Sequence, residues 1–397
     1  MTVLKDVCDL VSGRHIATKD YNSDSVGMPY LTGPSDFGDL YPVITKWTEF
    51  PQSKAKSGDI LVTVKGSGVG KINQLDLSEV AISRQLMAVR PTGVNTQFLY
   101  YLLKSKYDYF QEKANGAAIP GLSRPDILGL QVPDTSLAEQ KRIVAILDEA
   151  FGAIDRAKRI AEKNLSNAIE LFDSYLNRVF TEKGEGWEET TIVDVCQSLH
   201  QGLNTAGQKI KFHESGFPII QTRNVNDGVI DLDEKIKFMC EDDWDLYREK
   251  YRPEVGDVFF TNIGTIGKTA VVTESMDYLI HWNIFKLRPI NDKIASDFLK
   301  CTLDYLTQSG FFKRMQKGGT VEFVTKKMIS GAVFHLPPVA RQHELVAEIK
   351  AVSLTVKNLR TNRLKVVSSL DELKQSILQK AFTGQLTAKS PELEAVP

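Results

Sequence analysis

Apolar positions along the chain follow two different periods. Over two long stretches they recur every three or four residues. Ile143, Leu147, Ala150, Ile154, Ala157, Ala161, Leu165, Ala168, Phe172, Tyr175 and Val179 fall on one stripe, and Leu345, Ile349, Val352, Val356, Leu359, Val367, Leu370 and Ile377 on a second. That spacing predicts two long helices with a heptad-like seam. Gly152 is the only glycine in either stretch, and Arg363 and Lys374 interrupt the second stripe. At about 1.5 Å per residue the stretch Gln140 to Phe180 would make a rod of roughly 60 Å. A lone helix of that length with an apolar seam needs a partner, and the other stretch is the nearest candidate. The expected seam comprises Ile143, Leu147, Ile154, Leu165 and Phe172 against Leu345, Ile349, Val356, Leu370 and Ile377.

Elsewhere the period shortens. DILVTV, AISRQLMAVRP, DVFFTN, TAVVTE and YLIHWNIFKLRP are rich in Val, Ile, Phe and Thr and are bounded by Gly, Asp, Asn or Pro, which is strand and turn chemistry. TQFLYYLLKSKYDYFQEKA and SDFLKCTLDYLTQSGFFKRMQK read as shorter helices among them. Each globular part is therefore expected to be an α+β domain of ordinary size.

The same order of parts occurs twice. Val3 to Cys8 is echoed by Thr191 to Cys196 through a shared Asp-Val-Cys, and MPYLTGPSDFGD by FPIIQTRNVNDG. SGDILVTVKGSGVGK pairs with VGDVFFTNIGTIGK, and AISRQLMAVRP with LIHWNIFKLRP. Gln140–Phe180 aligns without a gap to Gln342–Phe382. Repeats of this length define the architecture. They divide the chain into a first domain over 1–136, a long helix over 137–182, a second domain over 183–337, a second long helix over 338–384 and a flexible tail over 385–397. One bland reading of this layout is a coiled coil that only separates or dimerises two domains. Similar domains attached in the same register to rigid helices suggest instead a ruler holding two readers at a set distance.

Composition narrows the function. The 397 residues are 42% hydrophobic and 25% charged with a net charge of −1, which predicts ordinary globular domains and gives no bulk signal for nucleic acid. No apolar run approaches the roughly 20 residues of a membrane span and MTVLKDVCDL is not arranged as a signal peptide, so a cytoplasmic protein without membrane contact is expected. Cys8, Cys196, Cys240 and Cys301 and the six histidines lack ligand spacing, so neither disulfides nor a metal site is expected.

TNIGTIGKT ends like a phosphate-binding loop, but the required first glycine is Asn262. Its twin has Lys65 there and Ile72 at the hydroxyl position, and a strand rather than a helix follows. Pro125-Asp126 followed by Glu139-Gln140-Lys141 has the spacing of a metal-dependent nuclease. Glu139, however, opens a long helix, where Asp134, Thr135 or Ser136 would cap it, and the second copy has Arg341-Gln342-His343. Methyltransferase motifs and hydrolytic triads are not found either, so no catalytic residue is assigned. What remains is binding. Candidate DNA contacts are Thr32, Lys65, Ser67, Lys71, Arg84, Gln85, Asn115 and Arg124 in the first copy. In the second they are Gln221, Thr222, Arg223, Asn224, Thr261, Asn262, Lys268, Trp282, Asn283, Arg314, Lys317, Thr320, Lys326 and Lys327. Such side chains read base edges or fix phosphates. Lys71 and Lys268, at equivalent places in the two glycine turns, are expected to touch phosphate.

The two G-D-[IV]…G-x-[IV]-G-K blocks (Gly58–Lys71 and Gly256–Lys268), the helix openings Pro133–Gln140 and Pro337–Gln342, and the helix ends Ser174–Thr181 and Ser376–Thr383 together resemble the specificity (S) subunits of type I restriction–modification enzymes over the whole chain. The link KGEGWEETTIVDVC looks like that family's opening of a second target-recognition domain, which the first copy, starting at Met1, lacks. The resemblance implies two α+β target-recognition domains, each reading half of a bipartite site in double-stranded DNA, with the two helices packed antiparallel as a coiled-coil spacer. It implies docking of two adenine methyltransferase subunits using S-adenosylmethionine, joined by restriction subunits using ATP and Mg2+, while the S subunit itself catalyses nothing and binds no cofactor. The alternative is a duplicated scaffold or dimerisation protein that binds proteins rather than DNA.

Overall fold

The computed structural model describes residues 2–114, 121–226, 228–233, 235–315 and 323–383. The chain forms two compact units: Met1–Glu162 with Arg363–Pro397, and Lys163–Asn362.

In unit 1, strands Cys8–Ser12, Leu86–Pro91, Ile60–Thr63 and Ile72–Gln74 lie side by side in that order as an antiparallel sheet. A second sheet places Met28–Leu31 between Trp47–Thr48 and a parallel neighbour, Glu79–Ile82, with Lys54–Lys56 at the edge. Helices α1 (Thr96–Ser105), α2 (Tyr107–Ala114) and α3 (Arg124–Leu128) contribute Phe98, Leu102, Phe110 and Ile127 to one core with Ile60, Val62 and Val89. Thr2–Val3 pairs with Gln131–Val132 just before α4 (Leu137–Thr181).

Unit 2 repeats the plan. Cys196–Gln201, Ile284–Pro289, Val258–Thr261 and Thr269–Val271 form the antiparallel sheet. Phe217–Ile220 lies between Lys237–Met239 and the parallel strand Leu279–Ile280. A hairpin, Val225–Asn226 with Val229–Ile230, and helix α5 (Glu241–Tyr251) belong to this copy. Helices α6 (Ser296–Gln308), α7 (Phe311–Met315) and α8 (Lys326–Ser330) correspond to α1–α3. Glu188–Thr191 pairs with Val333–Leu336 before α9 (Val339–Phe382).

Two joints explain why the repeated motifs are what they are. The Gly-Asp of each block places a buried carboxylate, Asp59 or Asp257, under a bidentate arginine: Arg90 at 2.9 and 2.8 Å, Arg288 at 2.8 and 3.0 Å. Such forks fix strand order as well as charge. The glutamine of each helix opening ties its long helix to the domain. Buried Gln140 Oε1 accepts from the Asn95 N–H (2.9 Å) at the start of α1, and its Nε2 donates to Thr135 O (3.0 Å). Gln342 does the same with Ala295 N–H, and donates to Lys293 O and Pro337 O, all at 2.8 Å. An unsatisfied helix-start N–H and otherwise orphaned carbonyls are thus paired inside the core.

The long helices bury their stripe only where a domain covers them. Ile143, Leu147 and Ile154 join the core of unit 1 with Leu378, and Leu370 and Ile377 pack partly against it. Leu345 and Ile349 join the core of unit 2 with Leu176 and Phe180, flanked by Phe172. Leu165 and Val356 are half-buried, and Val352 and Leu359, expected on the stripe, are exposed. A pair of helices alone covers a narrow strip, so seam residues far from a domain keep contact with water. Within unit 1 the residues that break the heptad are bonded across the pair, Arg363 to Glu162 (2.8 Å) and Lys374 to Asp155 (3.1 Å), and Asp371 pairs with Lys158 between them. Residue numbers rise on one helix as they fall on the other, so the helices run antiparallel. Lys374 also lies over the Phe151 ring, 5.0 Å from its centroid.

Candidate nucleic-acid interface

Each glycine block forms a hairpin turn. Thr261 N–H donates to Lys268 O and Gly267 N–H to Thr261 O, both at 2.9 Å, while Thr261 Oγ1 donates to Thr265 O (2.6 Å) and accepts from Lys268 N–H (2.9 Å). Thr63, Gly70 and Lys71 repeat the backbone bonds at 2.9 Å. Gly264 and Gly267 have φ of +78° and +86°, conformations open to glycine at little strain. A Cβ on Gly267 would also lie 2.1 Å from Thr307. The turn uses these N–H groups internally and leads into a strand, so it is not a phosphate cradle.

The nuclease-like spacing likewise dissolves into capping. Asp126 accepts the Ser123 N–H at 2.7 Å, and bonds from Ser123 hold its carboxyl below the usual range. Ser136 Oγ accepts the Glu139 N–H at 3.2 Å at the start of α4. Among the described residues no group of three or more His, Cys, Asp or Glu could hold a metal, and no helix is long and apolar enough to cross a membrane.

In unit 2 the turn forms one wall of an open depression of about 700 Å3. Its lining gathers five of the expected residues, Gln221, Thr222, Arg223, Lys268 and Asn283, with Asn226, Ile263, Gly264 and Thr265. The lining carries two cations and, among the described residues, no carboxylate. Asn224 and Thr261, expected as contacts, are placed as scaffold instead. Asn224 is buried, accepting the Gln221 N–H (3.0 Å) and donating to Asp231 O (3.1 Å), and the Thr261 hydroxyl is spent inside the turn. Asn262 is also buried, with Oδ1 unpaired among the described residues, its N–H donating to Asn283 O and its C=O accepting from Val324 N–H.

Trp282, Arg314, Lys326 and Lys327 lie outside the depression. Trp282 is exposed on the loop whose C=O accepts from Gln201 Nε2 (2.6 Å). Exposed Arg314 on α7 donates to Ser309 O (2.6 Å). Lys326 and Lys327 are exposed in the first turn of α8, and Lys326 is near enough His200 to help burial hold that imidazole below its ordinary pKa. Lys317 and Thr320, like Asn115 in the first copy, lie outside the described residues.

Unit 1 collects its candidates differently. Thr32 N–H and Oγ1 both donate to buried Asp36, at 2.6 and 2.8 Å. Ser83 donates to Thr32 O and accepts from Gln85 N–H (3.1 Å), while Gln85 O accepts from Val64 N–H (2.8 Å). Thr32, Gln85 and Lys65 are thereby drawn to one corner, with exposed Arg84 beside them and exposed Ser67 and Lys71 on the turn. Exposed Arg124 donates to Leu10 O (2.9 Å) and Ser12 Oγ (3.0 Å).

The sequence reading missed Asn226. Asn226 closes the polar run QTRNVN two residues past Asn224, and that continued polarity was the signal for it.

Two copies of one α+β domain, each with a polar corner around a glycine turn and each fastened to long helices, define a duplicated recognition module. Residues 1–170 and 184–368 match the type I restriction modification DNA specificity domain, and the chain belongs to that family, whose members are the non-catalytic DNA-recognition subunits of type I restriction–modification enzymes. The chain is similar to the type I restriction enzyme EcoBI specificity subunit of Escherichia coli, 25% identical over 79% of this chain and 71% of that one. The MjaIX specificity subunit of Methanocaldococcus jannaschii is 22% identical over 96% of this chain and 92% of its own. Among solved structures, the HsdS subunit from Thermoanaerobacter tengcongensis superposes with a TM-score of 0.64 at 20% identity, covering 97% and 96% of the two chains. A chain from a structural study of complex assembly and conformational transition of the type I R-M system reaches 0.73 at 21% identity, covering 97% of each. Membership implies DNA and restriction–modification subunits as partners.

Proposed function

We propose that each domain reads one half of a bipartite site in double-stranded DNA and that the helix pair sets the unspecified gap. The observation that carries this reading is the repetition of both joints: Arg90–Asp59 recurs as Arg288–Asp257 inside each reader, and Gln140 as Gln342, so each reader is built alike and fixed to its helix by the same bonds. The helices then dock two adenine methyltransferase subunits, which supply S-adenosylmethionine chemistry, and restriction subunits add ATP- and Mg2+-dependent cleavage in the cytoplasm. Exposed Ile160 and Leu364 in unit 1, and Leu171 and Leu354 in unit 2, support that docking, because each helix keeps large apolar side chains in water. Partner subunits that enclose DNA would supply much of the phosphate contact, which accommodates a net charge of −1.

The test is a helix insertion. Co-expressed with its methyltransferase partners, the chain should direct adenine methylation at a split motif, mapped by methylome sequencing. Adding the same one or two turns to α4 and α9 should lengthen the gap with both half-sites unchanged; an altered half-site sinks the ruler. A scaffold binding only proteins would leave no methylated motif.

A further inference from the structure

The two glycine-turn lysines are equivalent in sequence and unlike in surroundings. Lys71 is exposed and, among the described residues, makes no ion pair or side-chain hydrogen bond. Lys268 is half-buried, and its Nζ donates to Asn226 Oδ1 at 2.7 Å. Asn226 is itself held, because its Nδ2 donates to Arg223 O at 2.7 Å. With both ends of the amide engaged, its orientation is set and its oxygen is committed to the ammonium.

A lysine serving phosphate works as a hydrated, freely rotating charge, and Lys71 fits that description. Lys268 has given up that freedom. One of its three donors is occupied, and the head is steered into a depression lined by Gln221, Thr222, Arg223 and Asn283. Preorganisation of this kind is what discrimination needs, since a base edge is told apart by donors and acceptors in fixed positions. A lysine head supplies donors alone, so the complementary base edge is rich in acceptors. In the major groove that edge is guanine, with O6 and N7 side by side.

We infer that Lys268, positioned by Asn226, is a specificity-determining residue of the second half-site and reads the guanine of a G·C pair, while its counterpart Lys71 serves the backbone. This replaces the common phosphate role that sequence equivalence suggests. It rests on the reading of unit 2 as a half-site reader.

The experiment uses the full chain assembled with its methyltransferase subunits. Motifs are mapped by methylome sequencing, and binding is measured by competition between the mapped duplex, duplexes with single base-pair changes and a random duplex, across a salt series. The wild-type complex must first yield a split motif containing G·C in the half-site assigned to unit 2 by exchanging that domain. No split motif at all would undo the proposed function; a split motif without G·C there would overturn only the present inference. Lys268→Met should reduce preference for one G·C position by about 5- to 150-fold and leave the other half-site unchanged. Asn226→Ala should relax the same position by a smaller factor, which loss of fold would not mimic. Lys268→Arg, which keeps the charge should Lys268→Met fail to assemble, should change preference at that position alone. Lys71→Met should weaken all duplexes alike and lower the salt slope by about one contact's worth. A uniform loss with an unchanged motif for the Lys268 variants would overturn the inference.

Discussion

Unit 1 and unit 2 differ most where the shared scaffold ends. Both keep the carboxylate–arginine fork, the glutamine joint and the hairpin turn with left-handed glycines. Around the turn they part. Unit 1 gathers Thr32, Gln85 and Lys65 through Asp36 and Ser83, whereas unit 2 builds a depression from Gln221, Thr222, Arg223, Asn226, Lys268 and Asn283. Even inside the sheet there is a contrast. Ala88, opposite Leu61, has as its counterpart Lys286, opposite Phe259. Lys286 is 4% exposed, donates to Arg252 O at 2.8 Å and sits 3.9 Å from Asp257. A duplicated frame tolerates such divergence because its joints, not its loops, hold the strands in place.

That contrast can be broken most severely at the fork. Asp257→Asn should cost about 3–5 kcal/mol, because it leaves buried Lys286 beside Arg288 with only the exposed Glu254 as a carboxylate, 2.8 Å from Arg288. Asp59→Asn strands only the partly exposed Arg90 and should cost about 1–3 kcal/mol. Urea unfolding followed by tryptophan fluorescence checks both, with Trp47→Phe isolating unit 2, whose tryptophans are Trp187, Trp244 and Trp282. Equal losses would mean that Lys286 finds water.

Next in size is the turn. Gly264→Ala should cost about 1–2 kcal/mol for the left-handed backbone alone, since a Cβ there meets nothing within 4 Å. Gly267→Ala adds a collision with Thr307 and should cost more, about 2–4 kcal/mol. If a double variant with Thr307→Ala failed to recover the difference, the collision would not be its source.

The smallest effect is a pH dependence confined to unit 2. Burial chiefly holds His200 and His281 below the ordinary imidazole value, whereas unit 1 has only exposed His15. A depressed folded-state pKa gives stability that is present above about pH 6.5 and lost as pH falls, because the unfolded chain takes up the protons first. Melts of the Trp47→Phe chain at pH 7 and pH 5 should therefore show loss in unit 2, and His200→Gln with His281→Gln should flatten it.

Much of the architecture was legible because repetition and periodicity are properties of a linear string. The start of the first long helix near Leu137 was legible because Ser136 caps the Glu139 N–H from three residues away, and the GKT ending could be rejected by counting to Asn262. Equivalence of sequence did not carry over to equivalence of surroundings. Asn224 and Thr261 belong to the same polar class as Gln221 and Lys268, yet the first two are consumed by the loops that display the others. Likewise Arg363 and Lys374 look like defects in a heptad until Glu162 and Asp155 stand opposite them.

The sequence by itself determined the duplication, the α+β class of each domain, the two long helices and the family, since these depend on the order and spacing of residues. Only the tertiary structure decided which polar side chains remain displayed on the surface and which are spent on the fold. That choice depends on neighbours brought together from far along the chain, as when Asn226 meets Lys268 across 42 residues.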